Sequence, residues 1–226
     1  MKYSNGKIRQ YIELEYEITY DSLRNKSLRK LPKKIRDNIV DLHDRSNYRP
    51  KEVILELEEL AAKYSNVPIL MNYLSAAYSR IGDFENSEKH VIENYKRHSS
   101  YLFAKINYAQ ICLEKEEYEK IPIIFDNKYD LKLLYPNRNK FHFTEFVSFN
   151  GIICRYYIEI GELEKAESYY NLLRSIAPKH STTKIIRRVL YPSFYRKIMN
   201  KISEKLENKI KDYEERQKKI NNIESS

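Results

Sequence analysis

Leu74-Ser75-Ala76-Ala77-Tyr78-Ser79-Arg80-Ile81-Gly82-Asp83-Phe84-Glu85-Asn86-Ser87 reads as the end of one helix, a sharp break and the start of another. Upstream of the break, Leu70, Leu74, Ala77, Tyr78 and Ile81 recur at helical spacing, which predicts a helix over 69–81. Gly82-Asp83 ends it, because glycine takes the left-handed conformation at a helix C-terminus without a Cβ clash. A second helix follows from Phe84 to about Arg97, with Phe84, Val91, Ile92 and Tyr95 as its inward face.

The same pattern returns along the chain. Leu74, Ser75, Tyr78, Gly82, Phe84, Ser87 and Val91 have counterparts at one constant offset downstream: Tyr108, Ala109, Cys112, Glu116, Tyr118, Ile121 and Phe125. A third set, Ile153, Cys154, Tyr157, Gly161, Leu163, Ala166 and Tyr170, follows the second at a longer offset and runs on to Leu173 and Pro178. The lengthened interval places an insertion near 126–139. Upstream, Val53, Leu57 and Leu60 precede Ser87, Val91 and Asn94 by the first offset again. A fixed period of this kind marks a repeat architecture. One helix pair cannot bury its apolar face alone, so pairs stack. Small residues share one position (Ser75, Ala109, Cys154) and a second (Ser87, Ala166), where they let paired helices approach closely.

On these residues, segment 50–180 resembles the tetratricopeptide repeat family, whose unit is a helix–turn–helix of about 34 residues. The resemblance implies an all-α fold: a right-handed solenoid of antiparallel helix pairs, about three units plus a degenerate N-terminal pair, with a C-terminal capping helix. Met71, Lys105 and Asn150 stand where the family's signature Trp would be, and Glu116 stands where Gly is usual. The family mostly provides scaffolds, so the resemblance implies a non-catalytic adaptor that binds a peptide or protein segment in its concave groove. The family's groove positions fall on Asn72, Tyr73, Ala76 and Arg80, then on Phe103, Ile106, Asn107, Gln110 and Glu114, then on Ser148, Ile152, Arg155 and Glu159. Of these, Asn72, Tyr73, Arg80, Phe103, Asn107, Gln110 and Arg155 are the candidate peptide-binding residues. The family's clamp for chaperone C-termini is not reproduced. Only Asn107 matches it, while Ala76, Ser148 and Ile152 replace its other members.

The flanks divide the chain into 1–49, the repeat segment 50–180 and 181–226. Residues 31–47 and 50–65 read as a degenerate helical pair, with Pro32 and Pro50 at helix starts. Ser181–Tyr191 reads as a short helix. A last helix is expected over about 193–221, with Ile198, Ile202, Leu206, Ile210, Tyr213 and Ile220. It would cap the last repeat or, in the alternatives, pair two copies as a homodimer or extend as a free tail. Residues 11–20 alternate apolar with polar, a strand pattern, yet Ile8, Ile12, Tyr16 and Tyr20 lie four apart. The second spacing favours helix; a strand would need a partner, such as another chain. For the insertion, Phe141, Phe143, Phe146 and Phe149 favour one long helix over 139–160, with Tyr135-Pro136-Asn137 turning in a projecting loop.

The whole chain has 226 residues, 41 Lys+Arg against 32 Asp+Glu, 21 Tyr, 4 Gly and 2 Cys. The few glycines exclude sandwiches, barrels and Gly-rich phosphate-binding folds. Two cysteines exclude a disulfide framework and a four-Cys zinc site. No apolar run is long enough to span a membrane, and the N-terminus has charge where a signal peptide would be apolar, so a cytoplasmic location is expected. The net charge of +9 is terminal: residues 1–50 carry +5, residues 179–226 carry +7 and residues 51–178 carry −3. Basic flanks with aromatic residues are the alternative reading, contacts to nucleic acid or another polyanion. The residues for it are Lys184, Arg187, Arg188, Arg196 and Lys197, beside Tyr191, Phe194 and Tyr195, with Lys30, Lys33, Lys34 and Arg36 as a second cluster.

Catalytic candidates are sparse. His142 and Glu145 fall on one helix face, with Asp130 and Arg138 in reach, but there is no third ligand at metal-site spacing. Asp41, His43 and Asp44 cluster similarly, and Cys112 and Cys154 occupy one inward repeat position as packing residues. No catalytic, cofactor or metal residues are assigned, and the reading is of a non-enzyme.

Overall fold

The computed structural model describes residues 3–4, 7–8, 14–21, 26–192, 202, 205–206 and 209. In chain order its elements are β1 (Tyr3–Ser4), β2 (Lys7–Ile8), β3 (Glu17–Thr19), α1 (Lys26–Arg29), α2 (Lys33–Tyr48), α3 (Pro50–Lys63), α4 (Pro68–Arg80), α5 (Phe84–Arg97) and α6 (Leu102–Glu114). These are followed by α7 (Lys120–Ile124), α8 (Leu131–Leu134), β4 (Lys140–His142), α9 (Phe143–Glu159), α10 (Leu163–Ile176) and α11 (Ser181–Leu190). Helix dominates, and helices adjacent in sequence pack as pairs: α2 on α3, α4 on α5, α9 on α10.

Local chemistry sets the boundaries. Pro32 is the N-cap of α2, and Pro50 and Pro68 open α3 and α4, where the missing N–H costs no helical bond. The Asp83 carboxylate accepts the Asn86 backbone N–H at 3.1 Å and so caps α5. The turns after α4, α6 and α9 contain Gly82 at φ 82°, Glu116 at φ 59° and Gly161 at φ 78°. These are the positions that the sequence repeat aligns, so Glu116 holds a left-handed conformation that glycine holds at its equivalents.

The apolar faces close into two cores. One joins Ile39 and Leu42 of α2, Val53, Leu57 and Leu60 of α3, and Leu70, Leu74 and Ala77 of α4. The other joins α6 to α11 and contains Phe125, Phe141, Phe146 and Phe149, all fully buried. Burial of each such side chain is worth about 1.5–3 kcal/mol. Close approach uses the small positions: Cys154 Sγ donates to the Ala166 carbonyl at 3.1 Å, joining α9 to α10. Gly151 admits α11, since a Cβ there would sit 2.5 Å from Thr182 Cγ2.

Four expectations are corrected. First, residues 17–19 form strand, not helix, and the partner lies in the same chain: β3 pairs parallel with β4, Glu17 opposite Lys140, Ile18 opposite Phe141 and Thr19 opposite His142. The pairing with β4 decides it. Tyr16 and Thr19 are buried, Tyr16 edge-on to Phe141 at 4.9 Å, while exposed Glu17 pairs with Lys140 at 2.9 Å. Second, the helix expected over 139–160 begins at Phe143, because Lys140–His142 is β4 and His142 is the N-cap. Third, the insertion does not project. Asp126 and Asn127 (φ 53° and 56°) turn the chain after the short α7, and Leu131, Leu134 and Phe141 are buried in the second core. Fourth, Phe84, expected inward, is 70% exposed. The helix expected over 193–221, with its capping and dimer readings, lies almost wholly outside the described residues.

Met71, Lys105 and Asn150, which share one position of the sequence repeat, are buried, and both polar residues have partners. Lys105 Nζ donates to the Ile124 carbonyl at the end of α7, with Asp126 at 3.6 Å, and Asn150 donates to the Phe146 carbonyl at 2.8 Å. No helix among the described residues is long and apolar enough to cross a membrane.

Exchanging residues at the equivalent turn positions tests these conformations. Gly82→Ala should cost about 1 kcal/mol and Glu116→Gly should gain about 0.5 kcal/mol in urea denaturation, because only glycine reaches positive φ without strain. Equal losses in both variants would contradict the assignment of Glu116 to a strained turn.

Candidate functional site

Helices α4, α5 and α6 line an open cleft of about 480 Å3. From α4 it takes Asn72, Ser75, Ala76 and Ser79; from α5 Phe84, Ser87, Glu88 and Val91; from α6 Asn107, Gln110, Ile111 and Glu114, with Lys115 beyond the helix end. The cleft lies where the two cores part: α4 belongs to the first and α6 to the second.

Two of the lining residues, Asn72 and Asn107, belong to an asparagine network. Asn94, 1% exposed, donates to the Pro68 carbonyl at 3.1 Å and to Asn72 Oδ1 at 2.7 Å. Asn107 reaches the same Oδ1 at 3.3 Å, and Asn72 Nδ2 approaches the Tyr101 hydroxyl at 3.5 Å. Burial pushes the Tyr101 hydroxyl above its ordinary pKa, which keeps it neutral. Amides at this junction tie the modules together without adding charge. At the other end, Lys115 pairs with Glu88, and Gln110 donates to Glu114.

Of the candidate groove residues, the structure brings together Asn72, Asn107 and Gln110. The other four do not line this cleft. Tyr73 lies over His43 of α2, ring centroids 4.5 Å apart, and Arg80 donates to Asn47 of α2 at 2.8 Å. Phe103 packs toward the second core near Tyr101, and Arg155 is paired with Glu159 at 3.4 Å on α9. The reason is helical phase: Tyr73 and Arg80 are two turns apart on the α4 face toward α2, whereas Asn72 and Ser79 face α6. The spacing did not mark Phe84, Ser79 or Glu88 as lining. His43 and Asn47, one helical turn apart, were equally unmarked as partners of α4.

Lys184, Arg187 and Arg188 are exposed on α11, whose Thr183 and Ile186 turn inward. Ile185 (56% exposed) and Val189 lie exposed among them. Arg196 and Lys197 lie outside the described residues.

The remaining candidates resolve into structural roles. His142 and Glu145 form a capping box at the start of α9: the His142 side chain accepts the Thr144 N–H at 3.2 Å, and Glu145 accepts the His142 N–H at 2.9 Å. Arg138 grips Glu145 with two bonds of 3.1 and 2.7 Å. Asp130 instead caps α8, so the four do not converge. Asp41 pairs with Arg45, and His43 contacts Asp44, all near the surface. Both cysteines are buried and free, and burial raises both thiols, Cys154 to about 12. Among the described residues no group of three His, Cys, Asp or Glu could hold a metal ion. No protein-family model, curated protein or solved structure matches this chain.

One ionisable group on α5 is pH-sensitive. His90 stacks on Tyr78 (ring centroids 5.4 Å apart), whose hydroxyl donates to Glu58 at 2.6 Å. Its Nδ1 is buried without a protein partner, and burial lowers its pKa from 6.5. A lowered folded-state value means stability is full above the unfolded pKa and is lost as pH falls through the folded one.

Melting temperature should therefore fall between pH 7 and pH 5, and His90→Asn should flatten that slope; an unchanged slope would contradict the burial cost. Asn94→Ala should cost about 1–3 kcal/mol in urea denaturation, because it strips the donor from a buried carbonyl and from Asn72. A loss below a few tenths would show that the network does not hold the seam.

Proposed function

We propose that this chain is a non-catalytic interaction scaffold built as a tetratricopeptide-like solenoid of helix pairs, which binds an extended peptide or protein segment in the cleft between α4, α5 and α6. The observation that carries the reading is the convergence of Asn72 and Asn107 on one cleft, 3.3 Å apart, from helices belonging to different cores. Side-chain amides offer both donors and acceptors, which suits the unpaired N–H and C=O groups of an extended backbone. Serines at 75, 79 and 87 add hydroxyls, and Phe84 supplies an apolar anchor at the rim. The helical spacing of the small residues and the positive-φ turns support the solenoid reading.

The second reading, nucleic-acid binding through the flanks, is favoured by one observation: Lys184 and Arg187 are exposed on α11 beside Ile185. Phosphate contacts would make its affinity fall steeply with salt.

Paired variants separate the two. Under the scaffold reading, Asn72→Ala and Asn107→Ala each weaken peptide affinity about 2- to 10-fold by fluorescence anisotropy, the worth of one hydrogen bond of about 0.5–1.5 kcal/mol. Lys184→Glu with Arg187→Glu leaves peptide affinity unchanged. Loss of binding only in the α11 variants, with strong salt dependence, would overturn the scaffold reading in favour of a polyanion.

A further inference from the structure

The electrostatics of the cleft specify more than a backbone. Its ionisable lining is Glu88, Glu114 and Lys115, two carboxylates against one ammonium. Lys115 is spent on Glu88, whereas Glu114 is exposed and, among the described residues, receives the neutral Gln110 amide and no cation. Glu114 is also the last residue of α6, and Ser79 sits in the last turn of α4. Two helix C-termini and one helix N-terminus, that of α5, therefore open on this end of the cleft, and their dipoles leave a net negative pole equivalent to roughly half an elementary charge. The ring of Phe84, at the first position of α5, stands 70% exposed at that end. An aromatic face attracts a cation as well as an apolar group.

We infer that the occupant of this cleft is a peptide segment bearing a lysine or arginine, whose cationic head sits between Glu114 and Phe84 while its backbone lies along the Asn72–Asn107 amides. This rests on the peptide-binding reading above and names the partner's chemistry within it. The complementarity is local: a carboxylate without a cationic partner among the described residues, a net negative helix pole and an aromatic face coincide at one end, and amides at the other. The aliphatic stem of the lysine or arginine covers the Phe84 ring while the charge reaches the carboxylate. A partner segment carrying aspartate or glutamate at that position meets like charge and is rejected.

A phage library of random nonapeptides panned against the full chain tests this, with Asn107→Lys as a cleft-blocked counter-target. Wild type should enrich peptides with lysine or arginine at one fixed position beside an apolar residue. For the best synthetic peptide, Glu114→Gln should weaken anisotropy-measured binding about 3- to 10-fold. Glu114→Lys should bind that peptide poorly but prefer its Lys→Glu counterpart. Glu114 is exposed, so these variants keep the fold, checked by circular dichroism. Enrichment of cleft-dependent peptides with no fixed basic position, or indifference to Glu114→Gln, would overturn the cationic assignment and leave peptide binding standing. Absence of any enrichment over the counter-target would overturn the peptide-binding reading itself, and this inference with it.

Discussion

The Asn94 side chain is almost fully buried, and its amide donates at once to the Pro68 carbonyl and to Asn72, the residue that Asn107 also reaches. A buried donor is costly unless its bonds are made, so α4, α5 and α6 can meet only in the register that makes them. On one side of this junction lies the core of α2 to α4, on the other the aromatic core of α6 to α11. An apolar interface would slide more readily, because burying hydrocarbon is non-directional. Hydrogen bonds fix the angle, and the angle holds the cleft open.

The N-terminal segment and the insertion serve the second core. Without β3 over it, Phe141 would lose the edge of Tyr16, and β4 would be an unpaired strand. Arg138 covers Phe141 at 4.2 Å and grips Glu145, joining insertion to helix. Lys105 ties α6 to the end of the short α7 with a charge-assisted bond to the Ile124 carbonyl. The short helix leaves carbonyls without helical partners at its end, and the buried lysine reaches one of them.

Much of this was legible in the sequence, for identifiable reasons. Helices α3 to α6 and α9 to α11 follow from periodicity, and the start of α3 and the ends of α4 and α9 follow from Pro50, Gly82 and Gly161. What failed was decided by non-local pairing. The stretch at 17–19 carried both periods, and only the partner at 140–142 chose between them. Phe143 to Phe149 continued the helical spacing, but Phe141 was claimed by β4. In the candidate site, Asn72, Asn107 and Gln110 were legible from position in the repeat. Tyr73, Arg80, Phe103 and Arg155 were drawn elsewhere by partners, His43, Asn47, Tyr101 and Glu159, that one-dimensional spacing does not reveal.

Under our proposal, recognition lies at the seam between the two cores and not on the basic flanks. Backbone amide NMR of the full chain, titrated with a cleft-selected peptide, measures this residue by residue. Shifts should concentrate at Asn72, Ala76, Ser79, Phe84, Asn107 and Gln110, with α11 unmoved. Shifts confined to Ser181–Leu190 and the residues after it, with the cleft silent, would contradict a seam-centred site.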